Sequence, residues 1–190
     1  MDIETVLKNI GKYDFKKLSR CFDSPHSTTI GFWSHWWLSI CKDCYVKDEA
    51  LQIKTDDGET RADLMLYYNN GRLWGIVEVE NNCEHYVTVV ENLSCYAKKF
   101  DNLKFLIVHV WTEVDEKGNY KKTSEIRAIK DAIDRIKQYY FLQQYWIFVI
   151  SKWGKDNSVS SVDFDGDYRT SSYVGFEWQV FKGGKKIMVS

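Results

Sequence analysis

Asp63, Glu78 and Glu80 are the side chains whose type and spacing point most directly to chemistry in this sequence. Asn70-Gly71 lies between Asp63 and Glu78. An Asn-Gly pair is a strong hairpin signal, because a type I′ turn needs positive φ at both central residues. With Asn70 and Gly71 as the loop, Asp63 falls directly across from Glu78, and Arg61 across from Glu80. Side chains alternate along a strand, so Glu78 and Glu80 share a face with each other and with Asp63. Opposed like charges repel, so a cation is expected between them, and a divalent metal held by oxygen ligands is the natural one. The alternative is an Arg61–Glu80 cross-strand pair, with Asp63 and Glu78 at a solvated strand end.

The elements that must position these acids follow from the surrounding pattern. The face of Asp63 also carries Met65, Tyr67, Trp74 and Ile76, and the other face carries Ala62, Leu64, Leu66, Val77 and Val79. Two apolar faces imply a central strand pair covered on both sides. Carboxylates buried there are costly unless paired or bound to metal. Residues 2–20 read as a short helix with a basic end. Thr28 to Tyr45 is apolar nearly all round and reads as a buried helix. Ala50 to Thr55 is a strand, followed by a second turn at Asp57-Gly58 that leads into a strand from Arg61 to Tyr68. Leu73 to Glu80 is a third strand, Glu84 to Phe100 a helix, and Lys104 to Val114 a strongly apolar strand. A helix capped by Ser124 runs to Tyr140, Tyr145 to Trp153 is a last core strand, and Tyr173–Phe181 with Lys186–Val189 form short strands around Gly183-Gly184. The order predicts an α/β sandwich, with a mixed central sheet flanked by helices and a C-terminal β extension.

At 190 residues the chain is expected to form a single domain, with a core over about residues 28–153 and an extension over 154–190. Eight Trp and twelve Tyr are many for this length, and core packing is the usual reason. A net charge of −1 provides no global attraction to nucleic acid, so such binding would need a local patch. No apolar run reaches about 18 residues and the N-terminus lacks a signal pattern. The expectation is a soluble cytoplasmic protein without a membrane partner.

The five cysteines are odd in number and irregularly spaced, unlike a disulfide framework. Cys41 and Cys44 together with Cys83 and His85 are acceptable zinc ligands by type, but free buried thiols are the simpler reading.

The order of elements, with Asp63 on one strand and Glu78-Val79-Glu80 on the next, resembles the PD-(D/E)XK nuclease superfamily over roughly residues 28–150. Asp63 matches the family's Asp and Glu78 its acid, while Glu80 stands where the family's Lys usually sits. The resemblance implies a restriction-endonuclease-like αβββαβ core and a metal-dependent endonuclease acting on double-stranded or branched DNA. On the following helix, His85, Asn92, Tyr96 and Lys99 fall in one stripe at roughly 100° per residue, beside a core stripe of Tyr86, Val90, Leu93, Ala97 and Phe100. Asn92-x-x-x-Tyr96 is similar to the Gln-x-x-x-Tyr of RecB-like members.

The implied mechanism has Asp63, Glu78 and the Val79 carbonyl holding Mg²⁺ or Mn²⁺, with Glu80 completing the shell or acting as general base. Either Lys99 or Lys54 supplies the missing cation. Pairing across Asp57-Gly58 places Lys54 beside Arg61 and Gln52 beside Asp63. Lys121, Lys122, Arg127, Lys130, Lys182, Lys185 and Lys186 are candidate phosphate contacts, and cutting both strands of a duplex suggests a homodimer. Two other classes stay open. One is an inactive nuclease-fold module binding nucleic acid or protein, and the other is a glycosidase using a Glu pair.

Overall fold

The computed structural model describes residues 3–10, 25–48, 52–55, 58–115, 117–155 and 171–189. Helices α1 (Ile3–Ile10) and α2 (Pro25–Ile40) precede five strands: β1 (Cys44–Asp48), β2 (Gln52–Thr55), β3 (Gly58–Arg61), β4 (Leu64–Tyr68) and β5 (Leu73–Glu80). A 3-10 turn (Cys83–His85) leads into α3 (Tyr86–Lys99). Then follow β6 (Phe105–Glu113), α4 (Thr123–Gln138), β7 (Tyr145–Lys155), β8 (Ser171–Lys182) and β9 (Lys185–Val189). The chain is therefore α/β, as its pattern predicts.

Seven strands form one mixed sheet in the order β1-β4-β5-β6-β7-β8-β9, while β2 and β3 form a separate two-stranded sheet. β5, β6 and β7 run parallel, and the strands on either side of them are antiparallel. α3 and α4 cover one face, packing Tyr86, Val90, Leu93, Ala132 and Ile136 against Met65, Ile76, Leu106 and Val108. α1 and α2 cover the other, where Trp33, Trp36 and Trp37 meet Leu64, Leu66, Val77, Ile107 and Ile147. The three tryptophans are fully buried. That explains why α2 reads as apolar all round: its aromatic residues fill a whole layer. No described helix is long and apolar enough to cross a membrane.

Five local expectations are corrected. The Asn70-Gly71 hairpin closes with three loop residues rather than two, since Tyr68 N–H donates to the Arg72 carbonyl at 3.0 Å. Gly71 takes φ 78° at the last loop position, as a three-residue hairpin loop requires. A bulge then absorbs Trp74, because Tyr67 pairs with Leu73 but Leu66 with Gly75. The bulge restores the expected register at Leu64↔Val77 and moves Trp74 to the α2 side.

The expected strand from Arg61 to Tyr68 is broken at Ala62-Asp63. Arg61 stays in β3, opposite Gln52, so no Arg61–Glu80 pair forms among the described residues. The β2–β3 register is two residues tighter than expected, so Lys54 pairs with Glu59 and Gln52 with Arg61. Beyond α2, Cys44 to Asp48 forms β1 against β4 instead of extending the helix to Tyr45. β-branched and aromatic side chains suit such a half-buried edge. At α4 the N-cap is Lys122, which makes no side-chain cap, so Ser124 lies inside the helix. The parts of the expected 2–20 helix beyond Ile10, and the Asp57 turn residue, lie outside the described residues.

The C-terminal strands extend the main sheet. β8 pairs along β7 from Trp146↔Phe181 to Lys155↔Ser171, and β9 closes the edge. Their turn packs on the end of α4. A Cβ at Gly184 (φ +72°) would stand 2.6 Å from the Lys137 carbonyl oxygen.

Among the described residues, the thiols are not drawn together with other ligands as a zinc site requires. Cys41 and Cys44 lie with the α2-side core and Cys83 with the α3-side core. Cys41, Cys44, Cys83 and Cys95 are all free.

Candidate functional site

The break before β4 creates the site. The β4–β5 ladder ends at Leu64↔Val77, so Val79 has no backbone partner on that side. The side chain of Asp63 takes that place, with Oδ2 accepting the Val79 N–H at 2.7 Å. The break is itself anchored from α3. The Ala62 N–H donates to Tyr96 Oη at 2.9 Å, and the Tyr96 hydroxyl donates onward to the Thr60 carbonyl at 3.3 Å. A buried backbone N–H left without such a partner is destabilising, so Tyr96 holds Asp63 in position from behind.

On the other edge, β5 is fixed to β6 through Glu78↔Val108 and Glu80↔Val110. Glu78 is buried, and its Oε1 has no hydrogen-bond partner. Burial pushes its carboxyl well above the ordinary range, and the Asp63 carboxylate adds to this, with a smaller push from Glu80. The backbone of Asp63 acts in the opposite sense. Without a cation, these surroundings therefore favour the protonated form of Glu78.

Glu80 faces a different set of partners. Its Oε1 accepts the Asn81 and Asn82 N–H groups at 2.8 and 2.7 Å, and Oε2 lies 3.5 Å from His85 Nδ1. The expected triad of acids is thus a pair, Asp63 with Glu78, and Glu80 is engaged by the turn that starts α3. Among the described residues, no group of three or more His, Cys, Asp or Glu side chains is drawn together for a metal ion.

These groups line a cleft of about 570 Å³. Of the expected site residues, Asp63, Glu78, Val79, Glu80, His85 and Asn92 line it. Gln52 and Lys54 do not, because the tighter β2–β3 register places them beside Arg61 and Glu59. Lys99 sits two turns further along α3 than Asn92 and lines a different cleft with Tyr67 and Arg72. No Lys or Arg lines the acidic cleft among the described residues. Lys121, Lys122, Lys185 and Lys186 are likewise not in it; Lys121 pairs with Glu113.

Sequence reasoning missed His26 and Thr88. His26, in the first turn of α2, places Nε2 3.3 Å from Asp63 Oδ1 and lines the cleft. Its separation from Asp63 in the chain left no local signal; only the packing of α2 on the sheet brings the two together.

A histidine outside the cleft is excluded from chemistry by its hydrogen bonds. Trp33 Nε1–H donates to His109 Nδ1 at 3.0 Å, so the ring proton is on Nε2, 2.7 Å from Ser151 Oγ. An imidazole that donates to a serine hydroxyl cannot also remove its proton. Burial lowers the His109 pKa to about 3, and the group ties α2 to β6 and β7.

No family model matches the chain, and no curated protein does. A solved structure of a carbon–nitrogen hydrolase from Helicobacter pylori G27 is similar at 10% identity and TM-score 0.43, over 98% of this chain and 76% of that one. That finding corrects the expected PD-(D/E)XK membership. The matched structure is a carbon–nitrogen hydrolase. The DNA endonuclease activity and the inactive nuclease-fold alternative fall with that resemblance, and the restriction-endonuclease fold is replaced by the coarser description of an α/β mixed sheet between helices. At this identity and TM-score the likeness transfers no activity to this chain.

Proposed function

We propose that the cleft at the C-terminal end of β5 is a hydrolytic centre that takes Mg²⁺ or Mn²⁺ between Asp63 and Glu78. The observation that carries this reading is the Glu78 carboxylate: buried, unpartnered at Oε1 and set against a second carboxylate. An acid in such surroundings is destabilised when ionised unless a cation arrives. The donor set fits a hard cation. Asp63 and Glu78 supply carboxylate oxygens, and the Val79 carbonyl faces the same edge as its N–H, the edge Asp63 occupies.

A bound divalent ion supplies Lewis acidity and lowers the pKa of water. The chain's own residues supply the remainder. His26 beside Asp63, and His85 beside Glu80, flank the cleft and are the groups available to move protons between it and solvent. Thr88 and Asn92 extend the polar lining along α3 and can orient a substrate by hydrogen bonding. Tyr96 and Ala62 keep Asp63 in place.

Calorimetric titration of the metal-free protein with Mn²⁺, with melting curves, tests the reading. Wild type binds and is stabilised, while Glu78→Gln neither binds nor shifts. A survey of chromogenic carboxylic-ester, amide and phosphate-ester substrates with Mn²⁺ then finds turnover that Asp63→Asn abolishes. No heat and no thermal shift in wild type would remove the cation site, and no turnover on any class would remove the hydrolytic reading.

A further inference from the structure

We propose that the second cleft, between the β4–β5 hairpin and the last turn of α3, binds a small planar-ring ligand that carries an anionic group. It holds about 530 Å³ and is lined chiefly by Tyr67, Arg72, Lys99 and Phe100, within the usual size range of small-molecule sites. Leu73 lines this cleft and Val79 the acidic one, which puts the two at opposite ends of β5. They are separated by roughly 20 Å, from the rise of a strand. Nothing in the carboxylate chemistry accounts for it.

The ring-binding part is prebuilt. Tyr67 stacks on Tyr45 with centroids 5.0 Å apart and planes 3° from parallel. Phe100 stacks on Tyr96 at 6.4 Å and 17°. Tyr96 is in turn tied to Ala62 and Thr60. Each lining ring is thus backed by another, so a ligand ring meets surfaces that are already ordered.

The charge is equally specific. Among the described residues Arg72 and Lys99 make no ion pair; the Arg72 guanidinium donates to Asn102 Oδ1 at 3.4 Å, and the Lys99 ammonium lies 5.9 Å from the Phe100 ring centre. Lys47, outside the lining, lies 5.7 Å from the centres of both Tyr45 and Tyr67 and adds positive charge behind the Tyr67 ring. Asp101 is the one carboxylate lining the cleft among the described residues. Lys99 also complements the C-terminal end of α3, as Lys98 does. Arg72 is on the hairpin and has no such role, and its planar fork suits a carboxylate or phosphate. Rings and cations in one cleft of this size select a ligand with both features, whether a nucleoside monophosphate or an aromatic carboxylic acid.

Calorimetry on the full chain in EDTA, which silences the acidic cleft, decides the matter with four probes: adenosine monophosphate, adenosine, inorganic phosphate and indole-3-acetate. Adenosine monophosphate, indole-3-acetate or both should bind with Kd at or below about 1 mM, more weakly as salt rises. Adenosine and phosphate alone should bind at least about tenfold more weakly. Binding of the nucleotide alone, or of the aromatic acid alone, identifies the source of the ligand. The exposed changes Arg72→Glu and Lys99→Glu should each weaken binding by about tenfold or more while the protein still folds and melts cooperatively. The proposal is overturned if neither compound binds, if phosphate alone binds as well as the nucleotide, or if affinity survives both charge reversals.

Discussion

The carboxylate of Asp63 substitutes for a missing strand: its Oδ2 accepts the Val79 N–H at 2.7 Å where the β4–β5 ladder has already ended. One side chain therefore both completes the backbone of β5 and stands beside the buried Glu78. Its structural and chemical roles separate on substitution. Asp63→Asn keeps an oxygen acceptor for the Val79 N–H and should fold, yet lose the response to Mn²⁺. Asp63→Ala leaves that N–H unsatisfied and should destabilise the metal-free protein by about 1–3 kcal/mol. Denaturant unfolding of both variants in EDTA checks this. Equal stabilities would mean that the Asp63–Val79 bond contributes nothing to the fold.

Glu78 gives the metal-free protein a particular pH dependence. Its folded pKa is raised above the ordinary value of 4.5. The folded state thus holds a proton that the unfolded state has released, and the contribution of Glu78 to stability is complete below that value and falls as pH rises. Glu78→Gln should flatten this decline and melt higher than wild type near neutral pH in EDTA. For a chain of this size each 1 kcal/mol corresponds to about 2–4 °C. Identical pH profiles for the two proteins would show that Glu78 ionises normally.

Cation binding should reverse the relation between those two proteins. At a Mn²⁺ concentration about 100 times Kd, wild type gains about 2.7 kcal/mol by mass action and Glu78→Gln gains none. Melting curves across a Mn²⁺ series provide the comparison. A parallel rise in both proteins would place the cation elsewhere.

Tyr96→Phe tests the support behind Asp63. It removes the acceptor for the buried Ala62 N–H and the donor to Thr60, and should cost about 1–3 kcal/mol. Because the break at Ala62-Asp63 loosens, Mn²⁺ affinity should fall as well, although Tyr96 does not line the acidic cleft. Stability lost with affinity intact would mean that Asp63 is positioned without Tyr96.

His109 should stay neutral far into acid. Its folded pKa is lowered from 6.5 to about 3, so the unfolded state binds the extra proton. Its contribution to stability is full above 6.5 and is lost as pH falls toward 3. Nitrogen-proton correlation spectra should show the proton on Nε2 at pH 5, as the Trp33 and Ser151 hydrogen bonds require. A proton on Nδ1 would contradict this assignment.

The sequence by itself determined the elements with strong local patterns. The apolar run of β6, the amphipathic α3 and the acids on β5 were all legible, as was the facing of Leu64 and Leu66 with Val77 and Val79. These follow from side-chain period and residue type, which are properties of neighbouring positions. Tertiary structure decided the rest. The three-residue loop and the bulge at Trp74 offset one another, so the expected register survived through a turn that local signals had misread. The break at Asp63 is made by a tyrosine on α3, and His26 arrives from α2, contacts between residues far apart in the chain. Glu80 and Glu78 share a strand face, but the Asn81 and Asn82 N–H groups claim one and burial isolates the other. Periodicity places a residue on a face, and only the packing of distant segments fixes its partners and its charge.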